Sequence, residues 1–302
     1  PGKRVEPGFI NVLKRKKDSH WRANSKSELA ALSDWLIDTE DGAGELLARV
    51  IVNRLWHYHF GQGLVKTPND FGNLGAAPTH PKLLDYLATQ LIEAGWQLKP
   101  IHRLILKSAV YRQAGTIDAA PMKVDADNTL LWHWRPNRLE AEAIRDSLLA
   151  VAGVLKPHMY GPSISIGHAR RGVKDEPGSW RRSIYLQAHR SAKHPTLSIF
   201  DPPDYTQSVG ARTTGATTNG ALFALNAPLV WDLAEHLAKR VRAEAGDELS
   251  AQVKHLHLLC LSRPPRGKEL GIGLSLLKAG HSDALWHYCH LMLGLNEMIY
   301  IN

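Results

Sequence analysis

Between residues 181 and 214 the chain gathers Arg181, Arg182, Tyr185, His189, Arg190 and His194, then Asp201 and Asp204 in FDPPD, then Arg212, Thr213 and Thr214. Guanidinium groups grip carboxylate or sulfate through paired N–H donors, and carboxyl, imidazole and phenol groups exchange protons. Together these residues offer an anion clamp with an acid or base beside it. Read as a strand, Arg182, Ile184 and Leu186 share one face, while Arg181, Ser183 and Tyr185 share the other. The same residues also suit a polar loop that knits helices together, because buried arginine networks are common structural devices. Both readings stay open.

A second concentration lies in RVIVNRLWHYHFGQGLVKTPNDFGNLG (49–75), where an apolar helical phrase runs into Gly, Thr, Pro, Asn and Asp. Asn53 and Arg54 fall late in that helix, where a cation complements the helix dipole. Asp70 sits in TPNDFG, a setting in which Asp accepts backbone N–H bonds, and Phe71 can anchor the loop to a core. His80 precedes Pro81 at the next helix start, so Thr79 or His80 can cap it. The loop is either a packed clasp or an active-site wall. The binding candidates are therefore Arg54, Arg181, Arg182, Tyr185 and Arg212, and the catalytic candidates are Asp70, His80 and Asp201.

Metal chemistry finds little support. His57 and His59, like His255 and His257, are two apart and diverge on a helix; His287 and His290, with His281 upstream, have workable spacing but no accompanying carboxylate motif. No metal site is expected. Sequence motifs for a serine nucleophile elbow, a P-loop, a dinucleotide fold or a Ser-x-x-Lys element do not occur, so hydrolase, NTPase and NAD-enzyme readings have no motif behind them. The cysteines number two, Cys260 and Cys289, both in apolar helical phrases and neither in CxxC or CxxCH. The plain reading is two buried thiols, with a disulfide between neighbouring helices as the alternative. This segment therefore holds no haem attachment site and is expected to carry no cofactor.

The elements that must position these groups are mostly helical. Apolar periodicity predicts helices over 25–38, 44–60, 80–95, 99–113, 137–155, 226–245, 247–261, 267–279 and near 282–298. Leu29, Leu32, Trp35 and Leu36 mark the inward face of the first, and Leu47, Val50, Ile51, Leu55 and Tyr58 that of the second. On the helix at 137–155, Leu139, Ile144, Leu148, Val151 and Leu155 point inward, while Arg138, Glu142 and Asp146 share a charged face that either faces solvent or meets RRSIYL and orients Arg181 or Arg182. From 157 to 220 the chain turns rich in Gly, Pro, Ser, Thr and Arg, with SISIG (163–167) and RSIYLQA (182–188) predicted as a small β-hairpin. The fold class is mainly α, with helical bundles flanking an irregular, loop-rich centre. By segment, 1–24 is a linker from a longer protein, 25–156 an N-terminal helical bundle, 157–225 the platform and 226–302 a C-terminal bundle, all in one compact unit.

At 302 residues and 44% hydrophobic content the chain can bury an extensive core without metal or disulfide. Thirty-seven Lys and Arg against 29 Asp and Glu give a net charge of +8. Part of that excess lies in KRKK (14–17) and part in Arg170, Arg171, Arg181, Arg182 and Arg190, rather than along one helix face. Nucleic-acid motifs are absent, which favours another polyanion such as a sulfated or carboxylated polysaccharide. No apolar run reaches membrane-spanning length. The chain starts on PGKRVEPGF, without Met, and reads as a segment of a longer polypeptide.

RVIVNRLWHYHFGQGLVKTPNDFGNLGAAPTHPKLLDYLA, IHRLILKSAVYRQ, NRLEAEAIRDSLLAVAG, RRSIYL, FDPPD and the terminal LNEMIYIN follow one another in an order that resembles the planctomycete-type C-terminal domain of unknown function, the domain of unknown function 1553 type. The likeness covers nearly the whole chain. It departs at TTGATTNGALFALNAP (213–228), where relatives carry a Thr-Thr-Val-Pro-Thr-Gln-Ala-Leu phrase, so any role tied to that Gln is in doubt here. The resemblance implies a periplasmic or secreted setting beside a second uncharacterised domain and often a cytochrome-c-like domain, which would hold any haem. The expected function is an accessory domain that binds an anionic polysaccharide or the N-terminal domain of the same protein through the arginine-rich platform. The alternatives are a polysaccharide-acting or electron-transfer-linked enzyme domain, with Asp70 or His80 acting beside the platform, and a pure interaction scaffold.

Overall fold

A computed structural model of the chain describes residues 2, 7–165, 177–190, 193–212, 218–279, 281 and 283–301. Arg170, Arg171, Thr213 and Thr214 lie outside them. The fold is mainly α, as expected, and divides into two compact units, Pro1–Arg135 and Pro136–Asn302. No helix among the described residues is long and apolar enough to cross a membrane.

The first unit holds α1 (Ser19–Asn24), α2 (Glu28–Ile37), α3 (Gly44–Phe60), α4 (Pro81–Glu93), α5 (Leu98–Lys107) and α6 (Ala119–Val124). α3 ends where Gly61 turns left-handed, at φ 76°, a conformation that costs glycine little. Its buried stripe is Ala48, Val52, Trp56 and Phe60, spaced by four, and the Trp56 and Phe60 rings stack 4.2 Å apart. This corrects the expected face: Tyr58 is exposed, and Ile51 and Leu55 only flank the core. Two large aromatic rings bury more area than the aliphatic row one residue over, and they set the helix rotation. α4 and α5 complete this core through Leu84, Leu87, Leu91, Ile101 and Ile105. α1 and α2 close a smaller one in which Phe9 stacks on Trp35 and meets the Trp21 edge. Leu29 and Leu32 of α2 remain exposed, because this small core takes Ala31 and Trp35 from the helix, with Leu36 packed against it.

The second unit holds β1 (Asn137–Arg138), α7 (Ala141–Val151), α8 (Pro195–Ser198), α9 (Thr218–Asn226), α10 (Pro228–Ala245), α11 (Leu249–Leu261), α12 (Gly267–Lys278), α13 (Ala284–Leu293) and β2 (Tyr300–Ile301). α10 is its axis: Val230, Leu233, Ala234, Leu237 and Val241 recur at helical spacing and are buried. α13 packs on it, with Trp231 stacked 4.0 Å from His290. Cys260 and Cys289 are buried free thiols, and burial pushes the Cys260 pKa up to about 12 and raises that of Cys289.

The antiparallel β pair lies elsewhere than expected. It joins Arg138 to Tyr300 and Asn137 to Ile301, so 137–138 belongs to a strand rather than to the helix that follows. Ser183–Tyr185 is a turn of 3-10 helix, and Ile164 meets Leu186 only at an isolated parallel bridge. Residues 166 and 167 of the expected first strand lie outside the described residues. The groups that a hairpin ladder would need are taken from the side: the Ser183 N–H donates to Asp146, and the Arg181 carbonyl accepts from Arg145.

Candidate functional site

The loop after α3 hangs from one side chain. Asn53, fully buried, donates from Nδ2 to the Val65 carbonyl at 3.1 Å and accepts on Oδ1 from the Val65 N–H at 2.8 Å. Gly63 passes so near that a Cβ there would stand 2.7 Å from Asn53 Nδ2, so the clasp has room only for glycine. Thr67 Oγ1 donates to the Asp70 carbonyl and accepts from the Ala76 N–H, and Asp70 Oδ1 accepts from the Gly72 N–H at 2.8 Å. Asp70 thus organises a turn. The Thr79 N–H returns the loop to the Leu64 carbonyl, and His80 Nδ1 sits 3.0 Å from Thr79 Oγ1 at the head of α4. Arg54 is half-buried on α3; burial first, and the Arg54 charge second, depress the His57 pKa.

Between 62–66 of this loop and 128–135 lies a recess of about 30 Å³. That is space for roughly one water-sized group. Its far wall is shaped by Asn128, which is buried in left-handed backbone at φ 51°. Asn128 Oδ1 accepts from the Trp132 N–H, and Nδ2 donates to the His133 carbonyl. Arg135 ties the two walls together, its Nη1 donating to Gln62 Oε1 at 2.9 Å and its Nη2 to the Asp127 carbonyl. Trp134 is 8% exposed, and its Nε1–H has no acceptor among the described residues. His133 Nδ1 lies 2.8 Å from the Trp134 carbonyl. A carbonyl only accepts, so His133 carries a proton on Nδ1. Lys66, which is exposed, also lines the recess, and none of the lining residues is acidic. The recess is therefore rich in donors and positive charge, the local chemistry of an oxyanion site.

The platform of the second unit spends its arginines differently. Arg145, on α7, is completely buried, and it donates to the Ser179 and Arg181 carbonyls at 2.9 Å each and to Ser183 Oγ at 3.2 Å. Asp146 stands 3.6 Å from it and accepts from the Ser183 N–H and hydroxyl. Arg181 donates to the His158, Tyr160 and Pro162 carbonyls and lies 4.0 Å over the Tyr185 ring. Tyr185 OH accepts from the Tyr160 N–H. Arg212 pairs with Glu142 at 2.5 Å and Glu140 at 3.4 Å. So α7 does meet RRSIYL, and its carboxylates hold Ser183 and Arg212. Arg182, His189 and Arg190 are exposed, and His194 is buried at the start of α8. Asp201 is exposed in left-handed backbone at φ 51°, and Asp204 closes a turn on Thr206. Asp70, His80 and Arg54 are placed in the first unit; Arg181, Arg182, Tyr185, Asp201 and Arg212 are placed in the second.

Other titratable groups are absorbed into packing. His59 and His102 touch through ring nitrogens at 2.8 Å, and burial followed by the His102 charge lowers the His59 pKa. His257 Nε2 meets Tyr288 OH at 3.0 Å, while Arg263 forks onto Glu269 and Glu297. That fork, with the Arg266 N–H, holds the Glu269 pKa down at about 2. His20, Asp38 and Asp41 come close enough to share a cation, a grouping the sequence did not suggest. Their carboxylates already hold donors: Asp38 takes Trp21 Nε1 and the Glu40 and Asp41 N–H groups, and Asp41 pairs with Lys16.

Sequence reasoning passed over Gln62, Lys66, Asn128, His133, Trp134 and Arg135. The run WHWR at 132–135 was the available signal, since aromatic and basic residues alternate there outside any helical period. No curated protein and no solved structure matches the chain. The family described as PSD1, protein of unknown function (DUF1553), matches over residues 29–277, and the chain belongs to that family, as the resemblance led us to expect.

Proposed function

We propose that the domain is a binding module for an acidic polysaccharide and takes one carboxylate or sulfate group of the polymer at the recess between 62–66 and 128–135. The observation that carries this reading is the Trp134 Nε1–H, buried without an acceptor among the described residues, in a recess that Lys66, Arg135 and His133 also line. A buried donor left unpaired costs about 1–3 kcal/mol, which an incoming oxyanion recovers. The small volume suits a single group projecting from a chain whose remaining length lies on the surface, and the net charge of +8 favours a polyanion. The exposed Arg182 and Arg190 of the platform add a second basic surface for the same class of polymer. On the strength of family resemblance, the setting is that of an accessory domain in an exported multidomain protein.

Binding of the full chain to uronic-acid, sulfated and neutral glycans tests this. Acidic glycans should bind, and more weakly as salt rises. Trp134→Phe keeps an aromatic ring in the core but removes the donor, and it should lower affinity by roughly five- to tenfold. Lys66→Ala should lower it by about two- to fivefold. Equal binding of neutral glycans, or full affinity in both variants, would discard the reading.

A further inference from the structure

The recess at Trp134 contains one nitrogen whose chemistry runs against an anion. His133 Nδ1 carries the proton that reaches the Trp134 carbonyl at 2.8 Å, so in the neutral ring Nε2 bears a lone pair. Nε2 has no hydrogen-bond partner among the described residues and is not a buried atom, so it is open to solvent. The ring is held from two sides, by that carbonyl and by the Trp132 ring 4.2 Å away. Turning it to offer Nδ1 instead would break the bond. A lone pair repels an oxyanion, whereas a second proton on Nε2 replaces it with a charged donor, whose hydrogen bond is about twice as strong as a neutral one. Imidazole is the side chain suited to that change between about pH 5 and 8.

The charged groups about the ring come from two segments. Arg135 and Asp125 belong to its own, and Lys66 comes from the facing loop. α3 brings only Trp56 and Phe60 to the lining, and the turn before α4 brings Thr79, whose hydroxyl meets His80 Nδ1 at 3.0 Å. Arg135 and Lys66 oppose a second proton on His133. Asp125, held by the Thr129 and Leu130 N–H groups, favours it. An oxyanion set against the two cations offsets their opposition and gives the new N–H an acceptor.

Resting on the polysaccharide reading, we propose that the acidic group and a proton bind the recess together: the group accepts from Trp134 Nε1–H and from His133 Nε2–H, and the second imidazole proton is drawn from the medium. Acid then tightens binding, and binding takes up a proton, two sides of one linkage. Calorimetric titration of the full chain with a uronic-acid oligomer and a sulfated oligomer at pH 7.5, 6.5 and 5.5 tests this, since carboxylates stay ionised over that range. Affinity should rise about tenfold from pH 7.5 to 5.5, the gain from one charge-assisted hydrogen bond. The other histidines also gain charge on acidification and attract any polyanion, so two variants isolate His133. His133→Asn keeps a donor where Nδ1 stood and removes Nε2, and its gain should shrink to about twofold or less. His133→Arg is charged throughout and should bind about equally at both ends of the range. Circular dichroism at pH 5.5 checks that both fold. In the unaltered chain at pH 6.5, the nitrogen NMR signal of His133 Nε2 should move to its protonated position as either oligomer is added. An equal gain for the wild type and His133→Asn, or a His133 signal that ignores bound ligand, would overturn the coupling and leave the anion site standing. Binding of neither oligomer at any pH would remove the anion site, and the coupling with it.

Discussion

Each unit suspends an irregular segment from one fully buried polar side chain on a helix, and the two do so with opposite chemistry. In the first unit Asn53, a neutral amide with a donor and an acceptor, answers the carbonyl and the N–H of the single residue Val65. In the second unit Arg145, which has donors only, gathers the carbonyls of Ser179 and Arg181 and the hydroxyl of Ser183. The segment decides the anchor. A loop that turns one residue inward offers both kinds of group, and an amide closes the pair without charge. A segment that turns several carbonyls inward needs several donors from one point, which a guanidinium supplies. The guanidinium then needs a carboxylate nearby, and Asp146, the next residue on α7, provides it while also holding Ser183. The price of this arrangement is that the platform arginines 145 and 181 face their own chain, whereas Lys66 in the first unit stays outside.

Removing the charged anchor should have the larger effect. Arg145→Met leaves three acceptors and Asp146 without their partner in a dry interior, and should cost about 3–5 kcal/mol of stability in urea unfolding of the full chain. Hydrogen exchange should place the loosening at 179–186. Asn53→Leu, which strips Val65 of both partners, should cost about 2–3 kcal/mol and loosen 61–80 instead. A loss for Asn53→Leu equal to or above that for Arg145→Met would break the contrast between charged and neutral anchors.

These anchors also mark where sequence stops being informative. The helix Gly44–Phe60 was legible to the residue, because an apolar period runs up to a glycine that can turn left-handed. The turn at Asp70 was legible too, since Asp followed by Gly two residues on is a local hydrogen-bond pattern. Asn53 read only as a late helical polar residue: its partner lies twelve residues away in a loop that has no period. Arg145 lies off the charged face of Arg138, Glu142 and Asp146 and drew no reading, because the carbonyls that bury it completely lie 34 and 36 residues further on. The hairpin expected over 163–188 failed for the same reason. Its alternation satisfied strand propensity, but α7 side chains hold the Arg181 carbonyl and the Ser183 N–H, and Ile164 exchanges backbone bonds with Tyr185 and Gln187 in the parallel sense. The recess at Trp134 needed two loops to meet, and WHWR is a local signal for only one of them.

Acidity tests the buried imidazoles of both units, with a smaller effect. Burial lowers the pKa of His57 and His59 in the first unit and of His257 and His290 in the second, from an ordinary 6.5. The unfolded chain then binds more protons than the folded one below about pH 6.5, so stability is level above 6.5 and falls as pH drops through it towards the depressed values. Neighbouring charges modulate this: Arg54 and His102 reinforce the depression at His57 and His59, His287 does so at His290, and Glu269 opposes it at His257. The fork of Arg263 persists through this window, because Glu269 stays ionised down to about 2. Thermal midpoints measured from pH 7.5 to 5.5 should decline only in the lower half, and His257→Gln should shallow the decline. A midpoint that rises on acidification would contradict the burial of these rings as neutral species.

The smallest effect sharpens the comparison inside one unit. Arg212 also contacts carboxylates from the neighbourhood of α7, Glu142 and Glu140, yet its side chain is 30% exposed where that of Arg145 is wholly buried. Water screens the exposed pair, and fixing long side chains offsets much of the attraction, so such pairs contribute about 0.2–1 kcal/mol. A double-mutant cycle with Arg212→Ala and Glu142→Ala should therefore give a coupling below about 1 kcal/mol that shrinks in high salt. The Arg145→Met loss should hardly respond to salt, because ions do not reach it. If the Arg212 pair proved as costly to break as Arg145, and as indifferent to salt, burial would not be what separates the arginine that builds the platform from the arginine that edges it.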